Sequence, residues 1–290
     1  MIIKGNVVLQ QAVDSLNALK MPRMAAKLEE LFCSPSFVQM DKLNVISEIV
    51  SAEYTERMSR TVNQRLTKSK LKGSDADISK CVDTSNRQYE PHGITEILSS
   101  LDFMDKGMNV CILGPSDSGK SYLAKALGVR GCYRGSVLYS HCEKLLEEMA
   151  ALKKKDYAKF KKKMNSLARL DLLILDDFLI HSITEEKEVK VLFDILETRN
   201  ENKKSTVVCS QRSPSSWTSM ILNDEVSSNS VVKRETKHFT VLINVPKEKQ
   251  KMKNHLNTRH LLSGVAFCLC LVAVHKRIYG LRQTQNALYD

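Results

Sequence analysis

The octet Gly114-Pro115-Ser116-Asp117-Ser118-Gly119-Lys120-Ser121 limits what this chain can fold into more than any other stretch of it. It has the spacing G-x-x-x-x-G-K-S and stands between an apolar run at 109–113 and a helix-forming run at 121–132. The two glycines allow a turn tight enough to aim several backbone N–H groups inward at a helix N-terminus, an arrangement that holds phosphate oxygens. Lys120 is then placed to reach terminal phosphates and Ser121 to set its hydroxyl on Mg²⁺, with Tyr122 following as the loop becomes helix. The octet therefore predicts a strand, a phosphate loop and a helix that bind Mg-ATP. Asp117 opposes a polyanion there unless its carboxylate turns outward or bonds to loop amides.

A phosphate loop hydrolyses nothing without an acid to hold the metal at the end of a neighbouring strand. Leu172-Leu-Ile-Leu-Asp176-Asp177 supplies it: four apolar residues predict a buried parallel strand, Asp176 emerges for the metal, and Asp177 is placed to orient the attacking water. The run at 205–209 ends in Ser210-Gln211, polar positions suited to the γ-phosphate or the water. Arg234, in Val231-Val-Lys-Arg234, is a candidate arginine finger for a neighbouring subunit's nucleotide or a sensor for its own. Spacing alone does not favour it over Arg212.

From residue 93 on, short apolar runs alternate with helical stretches, which predicts an α/β fold with a mainly parallel sheet and helices on both faces. The first 92 residues read as a small all-α domain. Leu16 and Leu19 precede Pro22, and Met24, Leu28, Leu31 and Phe32 follow at helical spacing. Asp41 then caps a long helix whose apolar stripe is Leu43, Ile46, Ile49, Val50, Tyr54, Met58, Val62 and Leu66. Periodicity fades between 71 and 92, a linker. The expected division is 1–92 helical, 93–244 nucleotide-binding, and 245–290 a basic tail.

Lys plus Arg number 44 against 33 Asp plus Glu, a net charge of +11 that suits a polyanionic partner such as nucleic acid. Arg57, Arg60, Arg65, Lys68, Lys70 and Lys72 are opposed locally by Glu56 alone, so they form either a solvated face or a DNA-backbone contact. Lys153-Lys-Lys155, Lys159 and Lys161-Lys-Lys163 are the rival patch, ranked second because a helix would spread them around its surface. The eight cysteines include no C-x-x-C pair, and the N-terminus lacks a secretory signal; both features point to a reducing, cytoplasmic setting. The 14-residue run at 261–274 is shorter than the roughly 20 residues that span a bilayer, so no membrane partner is expected.

Taken together the chain resembles the IstB family of insertion-sequence helper ATPases, relatives of the DnaC helicase loaders within the AAA+ class. The resemblance runs over residues 10–244 and is carried by Leu19-Lys-Met-Pro-Arg-Met24, Ala52-Glu-Tyr54, Phe103-Met-Asp-Lys-Gly107, the octet with Tyr122-Leu-Ala-Lys-Ala-Leu-Gly128, Asp171-Leu-Leu-Ile-Leu-Asp-Asp-Phe178, Ser205-Thr-Val-Val-Cys-Ser-Gln211, Ser216-Trp217 and Asn223-Asp-Glu225. It implies an ATPase that assembles into an oligomer on double-stranded DNA and assists a transposase, the helical N-terminal part serving DNA binding and assembly. It also sets the Walker A loop on 114–121, Walker B on 172–177, sensor 1 on Ser210 or Gln211, and the finger on Arg234. Lys233 departs from the acidic partner often found there. Asp177 stands where many members carry Glu, which draws the carboxylate back by one methylene and implies slow hydrolysis. The tail from Val245 matches nothing in the family and reads as an appendage, a read-through or frameshifted end. A replicative helicase loader and a non-hydrolysing P-loop module are the alternative readings.

Overall fold

The computed structural model describes residues 7–221 and 225–245. The chain opens with three helices, α1 (Val7–Ala18), α2 (Pro22–Cys33) and α3 (Lys42–Lys68). Pro22 starts α2, where its missing N–H is no loss. Asp41 caps α3 as expected, its carboxylate accepting from the N–H groups of Leu43 (2.9 Å) and Asn44 (3.4 Å). The start of α2 is capped from a distance by Glu53 of α3, which accepts from Arg23 N (2.9 Å) and Met24 N (3.4 Å). Arg57 lies 2.8 Å from the same carboxylate and, with those amides, holds its pKa below the usual range.

The apolar stripe of α3 departs from expectation. Val62 is buried and Leu66 packs on the α/β core, but Leu43, Ile46, Val50 and Tyr54 are exposed. α3 has 27 residues, about 40 Å at 1.5 Å per residue, and the 12-residue α1 and α2 are too short to cover more than one side of it. Only its C-terminal part joins the rest of the protein: Arg65 Nη1 donates to Cys132 O (3.1 Å), and Ser69 O accepts from Tyr139 N (3.0 Å).

Six strands form one sheet in the order β1-β6-β2-β5-β4-β3, with β1 (Gln88–Glu90), β2 (Val110–Leu113), β3 (Val137–His141), β4 (Leu172–Asp176), β5 (Ser205–Ser210) and β6 (Phe239–Asn244). All neighbours pair in parallel except β1, antiparallel to β6, so the expected mainly parallel sheet is present. One face is covered by α6 (Lys120–Arg134) with the short α4 (Ile94–Ser99) and α5 (Asp102–Asp105). The other face carries α7 (Cys142–Lys155), α8 (Tyr157–Arg169), α9 (Glu186–Glu201), α10 (Trp217–Met220) and α11 (Glu225–Thr236). β3 is an edge strand, and the carbonyl of Ser69 shields part of that edge.

The stretch expected as a linker is packed. Leu71, Ala76, Ile78, Cys81 and Tyr89 are buried in the α6-side core, and β1 enters the sheet ahead of residue 92. Asn223, Asp224 and the tail beyond Val245, including the apolar run at 261–274, lie outside the described residues. Among the described residues no helix is long and apolar enough to cross a membrane, and Cys33, Cys81, Cys111, Cys132, Cys142 and Cys209 are all free thiols.

This packing predicts a sharp contrast in stability. Leu123, fully buried on α6, should cost about 2–5 kcal/mol on truncation to Ala. Leu43→Ala, at a position 75% exposed, should stay within about 0.5 kcal/mol. Equal losses in chemical denaturation would contradict the placement of α3.

Candidate nucleotide site

The sheet changes winding direction at β2: the chain leaves β2 through α6 toward β3 at one edge, while β6 lies on its other side. In an open parallel sheet such a switch leaves a crevice beyond the carboxyl ends of the strands. The octet lies there, joining β2 to α6.

Gly119 is the N-cap of α6 at φ +101°, in the left-handed region that glycine enters without penalty. A Cβ on Gly114 would stand 2.8 Å from both Ile243 O and Ser118 Oγ, so the loop is drawn tight around that glycine. Ser118 is fully buried and its hydroxyl has no hydrogen-bond partner. An orphaned donor inside a loop of convergent amides fits a phosphate oxygen. Asp117 takes φ +59° and its side chain is exposed, which resolves the electrostatic conflict anticipated for it. Pro115 supplies the carbonyl on which Lys120 Nζ rests (2.6 Å), and Ser116 is exposed on the outer rim. Burial lowers the pKa of Lys120, partly offset by Cys209, Asp176, Asp177 and Asp117. Ser121 stands half-buried in the first turn of α6. Tyr122 does not turn toward the loop: its hydroxyl accepts from Asp77 N (3.3 Å) and donates to Asp75 O (3.5 Å).

Asp176 ends β4 with only 1% exposure. Its carboxylate accepts from Tyr139 OH (2.5 Å) and from Asp177 N (3.0 Å). Burial, then Asp176 itself, pushes the Tyr139 phenol well above its ordinary pKa and keeps it a donor. Asp177 follows at φ +54°, a conformation that turns its side chain away from the strand direction, and its carboxylate meets His141 Nδ1 at 3.0 Å. Sequence reasoning passed over Tyr139 and His141. Both lie on β3, paired in parallel with β4 so that His141 is the register partner of Asp176. The available signal was a tyrosine and a histidine two apart at the end of an apolar run.

Two other expected residues sit differently. Ser210 is fully buried; its hydroxyl donates to Phe178 O (2.8 Å) and accepts from Arg212 N (3.1 Å), tying the loop after β4 to the end of β5. Gln211, one residue on, is exposed at that same edge. Arg234 lies at the opposite edge of the sheet. Asn109, immediately before β2, donates to Arg234 O (3.2 Å), so the length of β2, four residues and about 13 Å, separates it from the octet. Its guanidinium pairs with Glu197 (3.1 Å) and lies over the Phe193 ring (5.0 Å). In this arrangement the guanidinium is directed at α9 and not at its own octet. Arg212 stands at the loop's own edge, held through Nε by Ile180 O (3.2 Å).

A glycine-rich loop at a topological switch, a buried lysine and a strand-end acid pair define a P-loop ATP-binding protein of the AAA+ class. The model of the IstB-like ATP binding protein family matches residues 14–258, and the chain belongs to that family. The match passes the boundary expected at 244 and takes in the start of the tail. A protein of Sinorhizobium fredii, y4pL, described as an insertion-sequence ATP-binding protein, is 30% identical over 73% of this chain and 84% of its own length. The insertion sequence IS21 ATP-binding protein of Pseudomonas aeruginosa is 25% identical over 82% and 87%. Among solved structures, the DnaC helicase loader superposes with a TM-score of 0.46 at 17% identity, covering 59% of this chain and 98% of that one.

The placement of Ser210 is testable. Ser210→Ala should cost about 1–3 kcal/mol of stability by orphaning Phe178 O and Arg212 N, and should leave nucleotide affinity unchanged. Lost affinity at full stability in a calorimetric titration would restore its role as a phosphate sensor.

Proposed function

We propose that this protein is an ATPase that works on double-stranded DNA as an oligomer and assists a transposase in moving an insertion sequence in the cytoplasm. The observation that carries the hydrolytic part is that the carboxyl ends of neighbouring strands bring Asp176 and Asp177 close enough to Lys120 to act on its charge, with the unpartnered Ser118 hydroxyl in the loop that precedes the lysine. Lys120 exchanges Pro115 O for the terminal phosphates, where its charge is stabilised more than on a carbonyl. Ser121 and Asp176 would hold Mg²⁺, which supplies charge neutralisation of the phosphate chain; a site of one carboxylate, one hydroxyl and substrate phosphates suits that ion. Asp177 orients the water. His141 occupies one of its carboxylate oxygens and leaves the other for that water. Gln211, exposed at the same edge, takes the sensor position in place of Ser210.

The DNA contact rests on a groove that joins the two rival basic clusters. Arg57 is committed to Glu53 and Lys20 O, and Arg60 to Glu56. Lys153 and Lys161 cover the Phe160 and Tyr157 rings. Arg65, which also donates to the carbonyls of Cys132 and Tyr133, and Lys68 of α3 share one groove across Ser136 and Leu138 with Lys163 of α8, itself paired with Glu148 at 3.0 Å. The groove continues past Ser136 to Lys162 and Arg169. Charges from two elements on one concave surface suit a phosphate backbone.

Self-association has two supports. The exposed stripe Leu43, Ile46, Val50 and Tyr54 is an apolar helix face with no partner in the single chain among the described residues. Arg234, remote from its own octet, serves a neighbouring subunit's nucleotide once its pairing with Glu197 is exchanged. Transposase assistance is the reading we attach to relatives that are described as insertion-sequence ATP-binding proteins.

Turnover measured with and without duplex DNA tests the reading. Hydrolysis should rise with DNA, and the combined variant Lys68→Ala, Lys162→Ala, Arg169→Ala should lose that rise while keeping the basal rate. The same variant should flatten the salt dependence of binding by about 0.9 log units per lost contact, whatever the DNA sequence. Arg57→Ala with Arg60→Ala should leave the slope unchanged. A preserved slope in the groove variant would remove the DNA surface, and no turnover under any condition would leave a non-hydrolysing binding module.

A further inference from the structure

Arg87 is the last residue of a tight turn in which Thr84 and Arg87 exchange backbone hydrogen bonds of 2.8 and 3.2 Å, just ahead of β1. The turn falls within the stretch 71–92 expected as a linker. Its guanidinium is seated on the phosphate loop. A Cβ built on Gly119 would stand 2.8 Å from Arg87 Cζ, 3.0 Å from Nη2 and 3.1 Å from Nε, so only glycine admits the arginine at that distance.

The electrostatics of this seat are unfavourable for the chain alone. Gly119 is the N-cap of α6, where unpaired N–H groups and the helix dipole carry positive partial charge, and Lys120 is the next residue. A second full positive charge is thus pressed against the positive end of a helix. No carboxylate lies within ion-pair distance of the Arg87 guanidinium among the described residues, where fourteen other ion pairs are formed. Its neighbours are the Tyr89 phenol and the Cys81 thiol, whose pKa values burial raises, so both are neutral. Nε is buried without a hydrogen-bond partner. Arg87 as a whole is half-buried, so its charge keeps part of its water, but the buried Nε donor has no partner and costs free energy that an anion would recover. The loop at which it is aimed is an anion site.

We propose that Arg87 is a ligand of the nucleotide's phosphate chain, a second cation delivered to the Gly119 side of the loop from the turn at 84–87. The guanidinium fork donates two parallel hydrogen bonds to phosphate oxygens, which Lys120, a point charge, cannot do. Bound nucleotide thereby pins the segment between α3 and β1 to the loop. This role rests on the reading of the octet as an ATP site.

The test is a calorimetric titration of Mg-ATP into the full-length protein and its Arg87→Ala, Arg87→Gln and Lys120→Ala variants, paired with thermal melts without nucleotide. Arg87→Ala and Arg87→Gln should each weaken binding about tenfold, the loss of charge-assisted hydrogen bonds. Their melting points without nucleotide should equal or exceed that of the natural chain, because removing the cation relieves a like-charge contact. Wild-type affinity in both Arg87 variants would overturn the proposal, as would tighter binding, which would make Arg87 a plug. A fall in melting point matching the fall in affinity would also overturn it, by making Arg87 a structural residue. Lys120→Ala separates the two levels. If it binds Mg-ATP like the natural chain, the nucleotide reading itself fails; if it alone loses binding, only the role of Arg87 fails.

Discussion

Parallel pairing is the constraint on which the site depends. Because β2, β5, β4 and β3 run the same way, their carboxyl ends share one edge, and each end delivers a residue of different chemistry. β2 leads into Gly114, β5 closes on Ser210, β4 on Asp176 and β3 on His141. Residues 36 and 37 apart in sequence, His141 with Asp177 and Tyr139 with Asp176, become hydrogen-bond partners through register alone. A one-residue slip of β3 against β4 would turn both side chains to the other face.

The two edges of the sheet are treated differently. At the amino edge many buried polar groups find partners within the fold, although Arg234 Nη1 and Glu235 Oε2 lack one. Arg199, fully buried, donates to Leu167 O (2.5 Å), Leu170 O (3.0 Å), Thr206 Oγ1 (3.2 Å) and Ser205 O. Asp171 accepts from Ser136 and pairs with Lys204 (2.6 Å). Glu235 is buried, its pKa pushed up to about 8 by loss of water, and accepts from Asn109 (3.3 Å). At the carboxyl edge, Ser118 has no partner, Lys120 rests on a carbonyl, and the charge of Arg87 is uncompensated. At this edge the unmet groups of Ser118, Lys120 and Arg87 are ones a phosphate chain would satisfy, while the packed opposite edge fixes the strands that carry them.

What the sequence made legible was local. The octet and Leu172-Leu-Ile-Leu-Asp-Asp each concentrate their signal within eight residues, and the alternation of apolar runs with helical stretches follows directly from strand and helix periods. What it hid was nonlocal or a matter of what covers a surface. Periodicity marks Leu43, Ile46, Val50 and Tyr54 as one apolar face of α3, yet cannot say that α1 and α2 leave that face uncovered. β1 is three residues with only Tyr89 turned inward, too short for a strand period to register. Arg87 and Gly119 are brought together by the pairing of β1 with β6 beside β2, which no spacing encodes. The two basic clusters looked like rivals because the groove that joins Arg65 and Lys68 to Lys162 and Lys163 exists only once α3 and α8 flank β3.

On the function proposed above, the carboxyl edge serves hydrolysis as well as nucleotide binding, and Asp177 divides the two. Single-turnover hydrolysis of Mg-ATP, with affinity measured in parallel, should show Asp177→Asn binding within a few-fold of the natural chain and turning over about a hundredfold more slowly, the usual contribution of a residue that prepares the attacking water. Equal rates in the two proteins would contradict the account, since the residue held by His141 at the end of β4 would then have no part in the chemistry.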